Sequence, residues 1–383
     1  MYLLNFLRRI KHRFNDSQNH LLRIEINSQN LLHNISQFRK NFPEHRIAAV
    51  LKSNAYGHGL KEVGLFLDRN DDIRYLAVDS WLEAHLLREF GVKKEIIILG
   101  YVGRSMLKVL KKLKPLVLIV NSLDQAKILK NEVDFPLMVH LKIDTGMRRQ
   151  GIFLSDLEKT IKVLSENKHI CVNGLMTHLA DANIVASQPT FEQLKVWSEG
   201  VKIFRKYFPA GTLHFTATAG TRYLSYAESN LIRIGIGLYG YENREDKILN
   251  LKPILSFWAK IVNIKEVKKG EGAGYNFTFK AEKDMKIAIL PCGYYEGLDR
   301  ALSNVGVVYY KNQPLRLIGR MSMNLAIVDI SEVKEPLQIE DEIEVISSDP
   351  QKLNSAENYA KICGTTPYEI FVRLAPTIKR FIV

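Results

Sequence analysis

Short aliphatic and β-branched runs alternate with segments of helical period through the first 240 or so residues. Runs of about five apolar residues are too short for helices and read as strands buried on both faces. Eight occur, at 47–52, 75–80, 96–100, 116–121, 137–144, 170–178, 213–217 and 231–236. Helical stretches lie between them. Behind Ser80 as N-cap, Trp81, Ala84, Leu86 and Leu87 fall at helical spacing up to Phe90. Residues 154–165 repeat the pattern, with Ser155 as cap and Glu158 three residues on, a capping box. Eight buried strands, each followed by a helix or short loop over about 200 residues, predict an α/β fold, a (β/α)8 TIM barrel. An open doubly wound sheet is the alternative, because apolar runs do not encode closure.

After Glu242 the grammar changes. Charged residues interrupt the chain to Asn250, and from Pro253 strand-like runs follow at 254–266, 285–290, 305–310, 314–318, 325–330 and 342–347. One helix is expected, from Asn354 as cap through Cys363, closed by Gly364. The sequence thus divides into a basic extension (1–21), a barrel (22–245) and a C-terminal all-β domain (246–383).

Composition narrows the function. With 46% hydrophobic and 25% charged residues in 383, the chain is that of a folded protein. Its cysteines, Cys171, Cys292 and Cys363, are far apart and form no CxxC or Cys/His cluster, which argues against a disulfide framework or a structural zinc. Reduced, buried thiols and a cytoplasmic location are expected. The net charge of +13 is spread along the chain without a nucleic-acid-binding motif, so no nucleic acid is expected as partner. At the N-terminus an apolar run precedes Arg8, Arg9, Lys11 and Arg13, the reverse of a secretory signal. Leu3, Leu4, Leu7 and Ile10 share one face of a possible basic helix. No uncharged apolar stretch reaches the roughly 18 residues of a membrane span.

In a closed barrel the site lies at the C-terminal strand ends. Lys52 ends the first strand, Lys142 and Asp144 the fifth with Arg149 beyond, and His178 the sixth. Thr216 and Thr218 end the seventh, and Arg233 the eighth, before Gly235 and Gly237. A lysine in a desolvated, cation-rich mouth has a lowered pKa and can form a Schiff base with an aldehyde cofactor. The alternative for Lys52 alone is a snorkelling surface lysine. Gly235, Gly237 and Gly240 match G-x-G-x-x-G by count, but no βαβ unit follows, so a phosphate cradle is favoured over a dinucleotide site.

Ala49-Val50-Leu51-Lys52-Ser53-Asn54-Ala55-Tyr56-Gly57-His58-Gly59 resembles the pyridoxal-phosphate lysine motif of the alanine racemase family. Further resemblances lie at 142–151, 174–178, 233–240, 274–279 and 319–324, in order over residues 22–383. The resemblance implies a fold-type III pyridoxal 5'-phosphate enzyme acting on an amino acid as a head-to-tail homodimer with shared active sites. It implies that Lys52 carries the cofactor and is the base on one face, with Tyr275 of the partner the base on the other. Tyr56, Thr218, Gly235 and Ile236 match phosphate-binding positions, Arg233 the residue at the pyridine nitrogen, and His178 the support of the catalytic tyrosine. Arg149 and the Met323 backbone match the substrate-carboxylate site, and Lys142 a lysine often carbamylated. Three departures stand out: Ala217-Thr218 where an Asn-Ser pair is usual, Asn324 for the usual aspartate, and Pro376 where some members place a phosphate-binding tyrosine. Losing the aspartate removes a charge beside the pocket and is expected to relax substrate choice.

A lysine and a tyrosine have similar reference pKa values, near 10, so each can take the proton the other releases. Arginine at the pyridine nitrogen can only donate, which weakens the electron sink and favours racemisation over transamination. The expected activity is an isomerase interconverting L- and D-alanine for peptidoglycan. The alternatives are a broad-spectrum racemase, a decarboxylase of the same architecture, or a single-barrel cofactor carrier, which would lack Tyr275.

Overall fold

The computed structural model describes residues 19–242 and 248–383. The N-terminal basic face and the expected domain boundary near 245 lie outside the described residues. The described chain falls into two compact units, residues 30–55 with 63–242 and 248–252, and residues 19–29 with 56–62 and 253–383.

The first strand, β1 (Leu22–Ile26), belongs to the second unit. The barrel strands follow as β2 (Arg46–Val50), β3 (Ile73–Val78), β4 (Glu95–Ile98), β5 (Leu116–Val120), β6 (Leu137–Lys142), β7 (Ile170–Met176), β8 (Thr212–His214) and β9 (Leu231–Ile234). They pair in parallel in the order β8-β7-β6-β5-β4-β3-β2-β9. Asn230 N donates to Leu213 O (3.0 Å) and Arg233 N to Thr216 O (3.3 Å), joining the segments of β9 and β8. The barrel is therefore nearly closed, and the open-sheet alternative falls. All eight predicted apolar runs overlap these strands, four of which begin one or two residues earlier than the run. The reason is visible in β5, whose Leu-Val-Leu-Ile-Val is buried at every position, as a strand with side chains in the barrel interior on one face and helices on the other must be.

The helix Trp81–Glu89 starts from Ser80, which accepts from Glu83 N (3.2 Å) while Glu83 returns a bond to Ser80 N. The capping box expected at Ser155 is not formed. The helix Leu154–Ser165 has Phe153 as N-cap, which puts Ser155 inside the first turn, and Glu158 accepts instead from Tyr207 Oη (2.6 Å).

The second unit is built on β10 (Leu255–Lys260), β11 (Asn263–Val267), β12 (Gly272–Ala273), β13 (Phe279–Lys280), β14 (Met285–Leu290), β15 (Val307–Tyr310), β16 (Gln313–Ile318), β17 (Ala326–Asp329), β18 (Glu342–Ile346) and β19 (Lys379–Ile382). Nine strands form one sheet in the order β11-β14-β17-β16-β15-β18-β10-β1-β19, and β12 pairs with β13. Residues 22–26, counted with the barrel from sequence, thus sit between β10 and β19. Ile24 and Ile26 are buried against the covered face, and Arg23, also buried, is held by Glu25 and Glu342 and packs over Trp258. Two helices stand near the end, not one: Ala356–Ile362, capped by Ser355 where Asn354 was expected, and Pro367–Val372. Gly364 follows the first helix at φ 63°, as a helix-ending glycine should. No described helix is long and apolar enough to cross a membrane. Cys292 is buried and Cys363 partly so, but Cys171 is exposed, against the expectation of three buried thiols, because its position on β7 faces outward.

Gly174 shows how tightly the barrel interior is filled. A Cβ there would lie 2.3–2.6 Å from three atoms of the His140 ring. Gly174→Ala is expected to cost about 1–3 kcal/mol through overpacking, read as a lowered midpoint of chemical denaturation.

Candidate functional site

Leu51 N donates to Ala77 O (2.7 Å), carrying the β2 path one residue further, so that Lys52 emerges at its C-terminal end. The chain then turns left-handed. Ser53, Asn54, Ala55 and Tyr56 have φ of 57°, 56°, 52° and 53°. Such a conformation costs about 1–2 kcal/mol per non-glycine residue, so something must hold it. Ala55 N donates to Leu51 O (2.7 Å), and Ser53 N to Glu83 Oε1 (2.6 Å). The Glu83 carboxylate also accepts from Asp79 N and Ser80 N. A single side chain therefore fixes both a helix start and the turn behind Lys52. The sequence pattern signals its capping role only for the helix. Gly57 closes the turn at φ 81°, where a Cβ would lie 2.0 Å from Phe371 O.

At the same end of the barrel, Lys142 is buried and donates to Gln150 Oε1 (3.3 Å). Burial first, then Arg233 and Arg149, lower its pKa to about 8 against the pull of Asp144, with Lys52 adding to the fall. Burial and the charges of Arg233, Arg149, Lys142 and Lys52 hold His178 down at about 3, so it is neutral at physiological pH. The acid among these cations is already engaged, since Asp144 Oδ1 accepts from Gly146 N (2.9 Å) and Arg148 N (3.1 Å).

Arg233 is buried, and every bond it makes ends on a neutral acceptor. Its Nη1 donates to His214 O (2.7 Å) and His214 Nδ1 (2.9 Å). Its Nη2 donates to Thr177 O (2.8 Å), and at 3.4 Å to His178 Nδ1 and Phe215 O. None of these bonds uses Nε. Burial lowers the Arg233 pKa to about 10, below the usual arginine range, yet it stays charged at neutral pH.

Beyond β9, Gly235 leads into the short 3-10 turn Ile236–Tyr239, ended by Gly240 at φ 98°. Gly237 N donates to Thr218 Oγ1 (3.1 Å), and a Cβ on Gly237 would lie 2.7 Å from Thr218 Cγ2. Thr216 Oγ1 is buried without a partner. The barrel thus brings together Lys52, Lys142, Arg149, His178, Thr218, Arg233, Gly235 and Ile236 at its C-terminal end.

Tyr56, Tyr275 and Met323 belong to the second unit. Tyr56 stacks against Tyr368 (centroids 5.9 Å), and burial raises both phenols, Tyr368 to about 12. Tyr275 and Met323 are 66% and 54% exposed. Pro376 is exposed too. Asn324 has a partner that sequence did not reveal. Its Nδ2 donates to Glu296 Oε1 (2.8 Å), while Glu296 Oε2 accepts from Gly293 N (2.8 Å). The position that lost its charge therefore has a buried carboxylate beside it.

Two domain models match the chain: alanine racemase N-terminal domain over residues 26–243, and alanine racemase C-terminal domain over 254–382. The chain belongs to the alanine racemase family. It is 31% identical over 368 residues to alanine racemase 2 of Caldanaerobacter subterraneus subsp. tengcongensis, covering 94% of each. The solved alanine racemase of Clostridium difficile 630 is 27% identical with a TM-score of 0.88, covering 95% of this chain and 96% of that one. The alanine racemase of Bartonella henselae with covalently bound pyridoxal phosphate shares the fold at 23% identity and a TM-score of 0.82, covering 95% of this chain and all of that one.

The Asn324–Glu296 contact yields a test within this alanine racemase family member. Asn324→Asp sets two carboxylates against each other and raises the pKa of one in the folded state. A raised folded-state pKa costs stability as pH rises, so the loss is absent below about pH 4 and reaches about 1–3 kcal/mol by neutral pH. Adding Glu296→Gln should restore the pair with donor and acceptor exchanged. Denaturation midpoints of both variants at pH 4 and pH 7 decide this.

Proposed function

We propose that this chain is a pyridoxal 5'-phosphate-dependent enzyme that interconverts L- and D-alanine in the cytoplasm, supplying D-alanine for peptidoglycan. The carrying observation is the charge imbalance at the barrel mouth. Lys52, Lys142, Arg149 and Arg233 converge there while Asp144 is spent on backbone N–H groups. Such a mouth demands anions. The phosphate and a substrate carboxylate supply them, and carbamylation of Lys142 supplies another. A Lys142 amine lowered to about 8 is partly neutral at pH 7.5 and able to react with carbon dioxide.

The residues present fit the cofactor. Thr216 Oγ1 lacks a partner, the backbone at Gly235 and Gly237 carries no Cβ, and Lys52 stands at a strand end behind a held turn. In this reading Lys52 holds the group covalently, Tyr56, Thr218, Gly235 and Ile236 bind its phosphate, and Arg233 Nε faces its ring nitrogen. The bound group withdraws electrons from the substrate Cα, acidifying its proton. Arg233 stays protonated and can only donate, which keeps that withdrawal modest and favours return of the proton to Cα. Arg149 and the Met323 backbone hold the substrate carboxylate. Lys52 Nζ and Tyr275 Oη stand on opposite faces of Cα, one removing a proton and the other delivering one, with His178 supporting the tyrosine. Neutral His178 can accept or donate a hydrogen bond without adding charge.

Tyr275 serves the partner chain's site in a homodimer. Tyr275, Phe277, Tyr294, Tyr295, Met323 and Leu325 are all exposed, on adjoining loops: Tyr295 N donates to Met323 O (2.9 Å) and Tyr294 N to Ser322 O (3.2 Å). An apolar patch of this kind marks an interface. A decarboxylase reading is disfavoured by arginine, not an acid, at position 233.

Borohydride reduction should bleach the yellow protein and leave a pyridoxyl group on Lys52, found by peptide mass spectrometry. An adduct on another lysine sinks the site. Mixing inactive Lys52→Ala and Tyr275→Phe chains should restore part of the activity, because one site in each mixed dimer holds both bases. Alanine racemisation measured against the fraction of mixed dimer checks this, and mixed dimers without activity overturn the shared site.

A further inference from the structure

Below Arg233, two buried histidines continue its hydrogen bonds into the barrel. His214, on β8, and His140, on β6, are both fully buried, with His140 Nδ1 2.9 Å from His214 Nε2 and their rings edge to face. Burial, aided by the nearby arginines, keeps both neutral: His140 is lowered to about 3, by Arg46 and Arg233 after burial, and His214 is well below its usual value, with Arg233 second to burial. A neutral imidazole has one N–H and one lone pair. Arg233 is donor only, so His214 Nδ1 is the acceptor and its proton sits on Nε2. That proton points to His140 Nδ1, which must accept and so carries its own proton on Nε2.

The polarity of the column is thereby set at every nitrogen. His140 Nε2 and Asn173 Oδ1 are both buried without a hydrogen-bond partner among the described residues. Asn173 in turn lines a cavity of about 560 Å³ with Arg46, Met138 and Phe208 at the N-terminal end of the barrel. Gly174 makes room for the His140 ring, and no Cβ would fit there.

We propose that His140 is a positioning residue: by accepting from His214 it fixes the tautomer that lets His214 accept from Arg233, and so holds the guanidinium with Nε toward the site. The inference rests on the reading that Arg233 serves the cofactor ring. Replacing His140 by a residue with no acceptor leaves the His214 Nε2–H buried and unpaired, which favours the other tautomer or a rotated ring. Arg233 Nη1 then loses an acceptor and gains a facing N–H.

The test uses the full chain reconstituted with pyridoxal phosphate and labelled with ¹⁵N-histidine. Long-range proton–nitrogen spectra should show His214 and His140 each protonated at Nε2 alone. His140→Leu should shift the His214 nitrogens toward a mixture, lower kcat about tenfold or more with KM changed less than threefold, and move the cofactor's visible absorption band. His140→Asn keeps an acceptor near the Nδ1 position and should restore the His214 signals and most of kcat. Unchanged His214 nitrogens in His140→Leu overturn the proposal. So do equal losses in the Leu and Asn variants when both melt within a few degrees of the parent, since that pattern reports packing. The nitrogen spectra are read whether or not the cofactor binds, so a failed racemase reading shows as absent racemisation in the parent while the tautomers still decide this one.

Discussion

Among the described residues Arg233 is a buried cation with no carboxylate partner, and much of the barrel mouth follows from that. Desolvating a guanidinium is costly, and the barrel offsets the cost with five neutral acceptors drawn from β8 and from the segments that follow β7 and β8. The arrangement keeps the positive charge in place and leaves it uncompensated. After burial, it is the next cause that lowers Lys142, His178 and His214. The histidines stay neutral, so their lone pairs remain available to accept from the guanidinium. Charge and hydrogen bonding therefore support each other, and a carboxylate introduced at this point would undo both.

The barrel was readable because its strands bury both faces and so appear as continuous apolar runs; β5 is the clearest case. What escaped reading was whatever depends on a distant partner. Leu22–Ile26 alternates apolar and polar positions like any half-buried strand, and nothing local says that it pairs with residues 255–259 and 379–382. The box at Ser155 failed for a different reason: the spacing was right, but the helix began two residues earlier, from Phe153 as cap, and Glu158 found Tyr207. Closure itself rests on the bonds from Asn230 and Arg233 to the β8 segment, which no run length encodes.

Residue type and strand-end position were enough to place Lys52, Lys142, His178 and Arg233 at one end of the barrel. The groups that hold them were not legible. Glu83 reads as a helix cap, and its second task, on Ser53 N, exists only because β3 lies beside β2 in the barrel. His140 and His214 read as ordinary strand residues, 74 positions apart. Asn324 looked like a lost charge until Glu296 was placed next to it. In each case the missing information is a contact across the sheet or between loops, made by a side chain whose own neighbours in sequence give no hint of it.

The three thiols have unequal surroundings, with a practical result. Cys292 is buried and its thiol is pushed up by burial, and Cys363 is raised to about 11, so neither forms a thiolate readily near neutral pH. Cys171 is exposed on β7, two residues before Asn173 and next to Val172, both of which line the cavity at the N-terminal end of the barrel. A maleimide dye under mild conditions would therefore favour that one position, at the barrel end opposite Lys52. The native chain carries its own attachment point for a fluorescent or spin reporter, far from the chemistry and without an engineered cysteine.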